Sequence, residues 1–367
     1  MMPLSTISPA TPSSKASQGD LTADLLAKLL NGAEAEEAGT RPIGSSIDLL
    51  RSASLLNADR YEQPDLTARM LMRVGAANLS VGRLWEGHIN ASALIDLYGS
   101  PGLKCRVRTL IAQGAFLGVW GADADVPVTW TAPRTCLNGA KMFASGLGTV
   151  THAVVTVNSG PEVCLALVDV SDMARADAGV WNMHGMRATA SGRFDFTDCP
   201  MSSVDWLGEP GDYLKEPHFV GGVWRIAALQ AGAAIGLVDR AAAQLRAMDR
   251  MQAEPQKARL MPVLMRAWAG SALVERAALA TIDTELATEQ IVSTSISARL
   301  LTEEIALDAI RAVEQSIGLQ HFAAGSQTGR MARDLAVYLR QAARDAFQQR
   351  ASEHALGREG NAWGVFG

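Results

Sequence analysis

Apolar positions recur with a helical period at both ends of the chain and switch to a strand-like pattern between them. Leu21, Leu25, Leu26, Leu29 and Leu30 fall on one helical face, and Ile47–Leu56 is read as a second helix. A longer apolar-periodic stretch, one helix or a pair, runs from about Pro64 to Tyr98; Asp65 is its expected N-cap, and Gly99-Ser100-Pro101 stops it. Leu103–Ile111 is another helix. From Gln113 to about Leu207 the signals become short and β-like. Val126–Trp130 alternates, Thr149–Val157 is rich in β-branched residues, and Val163–Val170 and Arg193–Phe196 read as strands, with Pro127, Pro133, Gly139, Gly146, Gly148 and Gly160-Pro161 between them. Asn138-Gly139 tolerates positive φ and reads as the turn of a hairpin. Beyond Val220 the helical period returns, in Gly221–Met251, Ala258–Thr288, Ile291–Ile317 and Arg330–Leu356, with a break at Gly318–Gly329.

The expected organisation is α+β and multidomain. A disordered tail rich in Ser, Thr, Pro and Ala covers 1–19, an N-terminal helical domain 20–112, a middle β-barrel-like domain 113–212 and a C-terminal four-helix bundle 213–367. A chain of 367 residues can bury a core of that size. A net charge of -5 argues against nucleic acid as the main partner. No apolar run is read as membrane-spanning and no signal peptide is recognised, so no membrane association is expected. Cys105, Cys136, Cys164 and Cys199 are dispersed, without metal-ligand or redox spacing. They fit a reduced, cytoplasmic setting, and no metal is expected.

Two stretches carry chemistry. Leu137-Asn138-Gly139-Ala140-Lys141-Met142-Phe143-Ala144-Ser145 is followed some forty residues later by Gly185-Met186-Arg187-Ala188-Thr189-Ala190-Ser191, which leads to Cys199-Pro200. Together they resemble the L-N-G-x-K-x-(aromatic)-x-(S/T) hairpin and the G-M-R-x-T-x-S strand of the acyl-CoA dehydrogenase family of flavoproteins. The resemblance runs from roughly Asp20 to Gly357 and is strongest at 83–91, 137–148, 185–200 and 315–340. It implies FAD, with Phe143, where the family usually has Trp, packing near the isoalloxazine and Ser145 hydrogen-bonding its reactive edge. A flat apolar cofactor needs such a wall and such a donor. Leu117–Asp125 stands where the family has its T-E-P-x-x-G-S-D loop, so backbone contacts from Val119 and Trp120 are implied. Gln315-Ser316-Ile317-Gly318 resembles Q-x-x-G-G, with Leu319 in place of the second Gly. Arg250 matches the Arg of R-x-x-F-G, with Ala253 and Glu254 in place of Phe and Gly. Both elements reach FAD across subunits in the family, so a homodimer or homotetramer is implied. Arg333-Asp334 with Tyr338-Leu339-Arg340 resembles the family's last long helix; a surface ion pair and a core tyrosine explain it equally well.

The family's base is missing. Removal of a proton α to a thioester needs a carboxylate within hydrogen-bond reach. The usual position, three residues after Phe322 and nine before Asp334, is Gly325; the minority position, just before Arg225, is Trp224. What remains is Glu86-Gly87-His88-Ile89-Asn90, whose polar residues cannot all share one helical face with Leu84 and Leu94. His88 and Glu86 are therefore candidate bases, and Glu86, His88, Asn90, Trp224 and Arg225 candidate substrate contacts, although packing or helix surface accounts for each of them singly. The reading that follows is an FAD-dependent oxidoreductase oxidising an acyl thioester, on CoA or a carrier protein, or a related small metabolite, with an unidentified electron acceptor. A flavin monooxygenase of the same fold, which needs no α-proton base, is the first alternative, and a non-catalytic oligomer the second. A stoichiometric yellow cofactor excludes the non-catalytic oligomer. Oxygen consumption with a flavin reductase separates the monooxygenase from the dehydrogenase.

Overall fold

The computed structural model describes residues 21–57, 61–131 and 135–366; the tail expected over 1–19 and the punctuating Pro133 lie outside them. Helix α1 (Ala23–Glu37) starts at Thr22, whose Oγ1 accepts the Leu25 N–H at 3.1 Å. Helix α2 is Gly44–Ser52. The long periodic stretch is a pair, α3 (Pro64–Ala77) and α4 (Leu79–Tyr98), broken at Asn78, which leaves helical geometry and caps α4 through Oδ1 to the Val81 N–H at 3.2 Å. Asp65 is not the N-cap of α3: Gln63 holds that position, Pro64 fills the first turn, and Asp65 sits inside it, where a carboxylate still meets the helix dipole favourably. Helix α5 is Pro101–Ala112, capped by Ser100.

The middle segment forms three small sheets. β1 (Leu117–Trp120), β5 (His152–Ser159), β6 (Glu162–Asp169) and β10 (Val204–Leu207) pair in the order β1-β5-β6-β10, with β1 and β5 parallel and the rest antiparallel. β2 (Thr129–Trp130), β3 (Cys136–Asn138) and β9 (Cys199–Pro200) form the second sheet; β4 (Ala140–Ala144), β8 (Gly192–Asp195) and β7 (Ala176–Asp177) form the third. None closes on itself, so the barrel expectation is corrected. Asn138-Gly139 does not turn a hairpin either: β3 and β4 belong to different sheets, and Gly139 (φ +105) is where the chain crosses from one to the other. Glycine is required there, because a Cβ would lie 2.3 Å from the Pro127 carbonyl oxygen.

The C-terminal segment holds α6 (Trp224–Ala247), α7 (Glu254–Ala280), α8 (Thr288–Ile317), α9 (Gln327–Tyr338) and α10 (Arg344–Gly357). The fourth helix expected over 330–356 is thus two helices. The chain leaves the helix after Tyr338, and Ala343, at φ 63, starts α10 in a new direction. The four-helix expectation becomes five helices among the described residues. α6 packs on α3 with almost no space between backbones: a Cβ on Gly232 would lie 2.0 Å from the Met72 carbonyl oxygen, and one on Gly236 2.4 Å from that of Ala76. One core therefore runs from Leu21 through Phe194 to Leu339 and ties the three segments together. Val220–Ala247 is, by length and composition, apolar enough to cross a membrane, contrary to the expectation of no such run; 72% of its window is buried inside the protein.

Candidate active site

Strand β4 is bulged between Lys141 and Ala144, and Phe143 takes φ 56 at the bulge. This turns its ring outward, 57% exposed, edge-on to Trp181 at 6.3 Å. Lys141 of the same motif points inward, completely buried between Asp123 Oδ1 at 2.5 Å and Thr156 Oγ1 at 2.6 Å, so it braces the β segment. Ser145 Oγ lies 2.8 Å from Ser191 Oγ, which lies 2.8 Å from Thr189 Oγ1. The two sequence motifs therefore meet through a line of hydroxyls.

The Gly185–Ala188 turn is held from both sides. A Cβ on Gly185 would lie 2.5 Å from the Arg333 carbonyl oxygen, so only glycine lets α9 approach. The Met186 N–H donates to Asp334 Oδ1 at 2.8 Å, and the Arg187 and Ala188 N–H groups donate to Glu37 at 3.1 Å each. Asp334 also pairs with Arg330 at 2.8 Å. Burial raises both carboxyls above their ordinary range, with the Asp334 charge adding to the effect at Glu37.

Between the motifs and the end of α9 lies a cavity of about 530 Å³ with Phe143, Ser145, Trp181, Ser191, Tyr338 and Gln341 on its walls. It suits an isoalloxazine: an exposed aromatic wall, a hydroxyl pair at one edge, and the Tyr338 side chain, whose buried hydroxyl has no hydrogen-bond partner among the described residues. Of the residues expected to contact the cofactor, Phe143 and Ser145 line this cavity. Trp120 lies beneath it, 2% exposed, donating its indole N–H to the Ser145 carbonyl at 3.1 Å. Val119 lines an inner chamber of about 220 Å³ that shares Arg83, Tyr338 and Gln341 with the main cavity. Gln315, Gly318 and Arg250 are exposed and line neither space.

The α4 candidates separate by face. Glu86 and Asn90, one turn apart, line the inner chamber. Glu86 accepts from Arg83 Nη1 at 2.6 Å and Arg225 Nε at 3.3 Å, and Arg225 Nη2 reaches Asn90 Oδ1 at 2.7 Å. Trp224, Arg225 and Asn90 border an outer cavity of about 420 Å³. His88 points the other way and is corrected as a candidate base and substrate contact. It is fully buried and stacked on Phe116 at 5.1 Å; its Nε2 donates to the Leu56 carbonyl at 2.8 Å, and its Nδ1 accepts the Leu117 N–H at 3.0 Å. Burial, with the Arg51 charge in support, lowers its pKa from 6.5 to about 4, so it stays neutral. Gly325 is exposed on a separate cavity of about 480 Å³, among Arg187, Arg330 and Arg333. Sequence reasoning did not single out Arg83, Trp181 or Gln341, and read Tyr338 equally as core. Only Ser191, inside its motif, carried a local signal. Among the described residues no cluster of His, Cys, Asp and Glu could hold a metal, and the four cysteines form no disulfide.

No family model and no curated protein sequence matches the chain. Solved structures do. The dibenzothiophene monooxygenase TdsC from Paenibacillus sp. A11-2 superposes with a TM-score of 0.78 at 20% identity, covering 91% of this chain and 95% of that one. The chain has the acyl-CoA dehydrogenase fold. A nitrososynthase from Micromonospora carbonacea var. africana gives a TM-score of 0.77 at 18% identity over 93% of this chain and 96% of that one. KijD3, in complex with FMN and a dTDP-linked amino-keto sugar, gives 0.77 at 18% identity over 93% and 94%. TdsC has also been solved with FMN and indole.

Proposed function

We propose that this chain is a flavin-dependent oxidoreductase, and specifically a monooxygenase that works with reduced FMN and dioxygen. One observation carries the choice within the fold: among the described residues, the walls of the Phe143–Ser145 cavity bear no carboxylate and no imidazole. Abstraction of an α-proton has no base there, whereas oxygen activation by a reduced flavin requires none. Glu86 lies in the next chamber with both carboxylate oxygens taken by guanidinium groups. The structural neighbours solved with FMN support the cofactor and are not thioester enzymes by name.

Bound flavin would supply the electrons for dioxygen. The chain's own residues would hold it and shape the space around it: Phe143 and Trp181 would flank the ring, Ser145 and Ser191 would offer hydroxyls to its edge, and Tyr338 would close the inner side. FMN in place of the FAD first expected accords with the departures at Leu319, Ala253 and Glu254. Gln315 and Arg250, exposed and away from this cavity, would reach a flavin only in another copy of the chain, so self-association is part of the proposal.

Titration of the purified protein with FMN, followed by absorbance, should show a perturbed spectrum saturating at about one FMN per chain. Phe143→Ala should weaken binding about tenfold, as loss of an aromatic face implies. An unperturbed spectrum at saturating FMN would overturn the flavin reading.

A further inference from the structure

The charges in the inner chamber do not balance. Among the described residues Glu86 is the one carboxylate on its wall and on that of the smaller chamber of about 150 Å³ next to it. Two guanidinium groups, Arg83 and Arg225, bond to that single carboxylate, and Arg225 also spends a donor on Asn90. The trio is left with an excess positive charge, and Glu86 and Arg225 are largely shielded from water, where Coulomb attraction is strengthened.

A second observation is independent of the charges. Tyr338, 4% exposed, lines the same chamber, and its buried hydroxyl has no hydrogen-bond partner among the described residues. Burying such a hydroxyl costs stability unless a ligand completes it.

The geometry points to the inner chamber as an oxyanion subsite. It takes an anionic oxygen of the substrate, in the plainest case a carboxylate, which accepts a hydrogen bond from Tyr338 and neutralises the excess charge of Arg83 and Arg225. Because Arg83, Tyr338 and Gln341 line both spaces, a compact organic acid anchored here places its other end in the Phe143–Ser145 cavity. The substrate class is therefore a small organic acid, and the placement of its reacting end rests on the flavin reading above.

Benzoate and benzamide, equal in shape and different in charge, are the probes, measured by calorimetry on flavin-free protein. Benzoate should bind about tenfold or more tightly than benzamide. Tyr338→Phe should weaken benzoate about tenfold while melting at or above the wild-type temperature, because it removes an unpaired buried hydroxyl. Glu86→Gln, which removes the competing carboxylate, should tighten benzoate, and it decides the matter if Tyr338→Phe melts lower. Absence of benzoate binding, benzamide binding as tight as benzoate, or an unchanged benzoate affinity in both variants would overturn the subsite. None of these outcomes depends on FMN, so the flavin titration fails or succeeds separately.

Discussion

Replacing His88 with leucine should cost about 3 kcal/mol of stability at pH 8, with little effect at pH 4. The neutral-pH cost follows from what the ring holds: without it the Leu117 N–H and the Leu56 carbonyl oxygen are buried and unpaired, and a stacked partner of Phe116 is lost. The pH dependence follows from linkage. The folded-state pKa is lowered from 6.5 to about 4, so below pH 6.5 the unfolded chain takes up a proton that the folded protein refuses. The stability His88 contributes is fully present above 6.5 and drains away as pH falls towards 4, by about 3 kcal/mol for a shift of that size. His152 and His321 are also lowered, chiefly by burial, while Glu37 and Asp334 are raised and act in the opposite sense. All four persist in the variant, so the difference between the two unfolding curves isolates His88. Urea midpoints between pH 4 and 8 give that difference. A gap of constant size would show that the ring does not titrate as its burial requires.

His88 also shows where sequence reasoning stopped. Periodicity correctly required some polar group of 86–90 to leave the solvent face, yet it could not say which group met a ligand and which met backbone. That depends on Leu56 and Leu117, some thirty residues away on either side. The helices were legible because their apolar faces are local; the caps Thr22, Asn78 and Ser100 were not singled out, and the one expected cap, Asp65, lies inside the first turn of α3. The break after Tyr338 was not, since Leu339–Ala343 contains no Gly or Pro. The β segment was legible as strands but not as sheets. Gly139 announces positive φ, whereas its use as a crossing between sheets is set by the nearby Pro127 carbonyl. At the site, Phe143, Ser145 and Ser191 were legible as a motif. Arg83, Trp181 and Gln341 were not, because each joins the cavity from a different element with no shared spacing.

The same geometry predicts failure of the obvious repair. Flavin-loaded protein mixed anaerobically with short- and medium-chain acyl-CoAs should bleach slowly, since a positioned base typically supplies about 10²–10⁴-fold and the cavity walls carry none. Gly325→Glu, which restores a carboxylate at the family's usual position in sequence, should leave that rate unchanged. The substitution itself is sterically free: Gly325 is exposed, and a Cβ there meets nothing within 4 Å, so the variant should fold. Its side chain, however, enters the cavity with Arg187, Arg330 and Arg333, where a carboxylate is drawn to guanidinium groups and away from the hydroxyls of Ser145 and Ser191. The two cavities share the residue Met183 and are otherwise walled apart by the Gly185–Ala188 turn, which Glu37 and Asp334 hold shut through three backbone hydrogen bonds. Stopped-flow absorbance of the bound flavin measures the rate in wild type and variant. A hundredfold gain in Gly325→Glu would mean that the turn opens on ligand binding and that residue 325 reaches the flavin side. The assignment of a monooxygenase from the bare cavity walls would then fall with it.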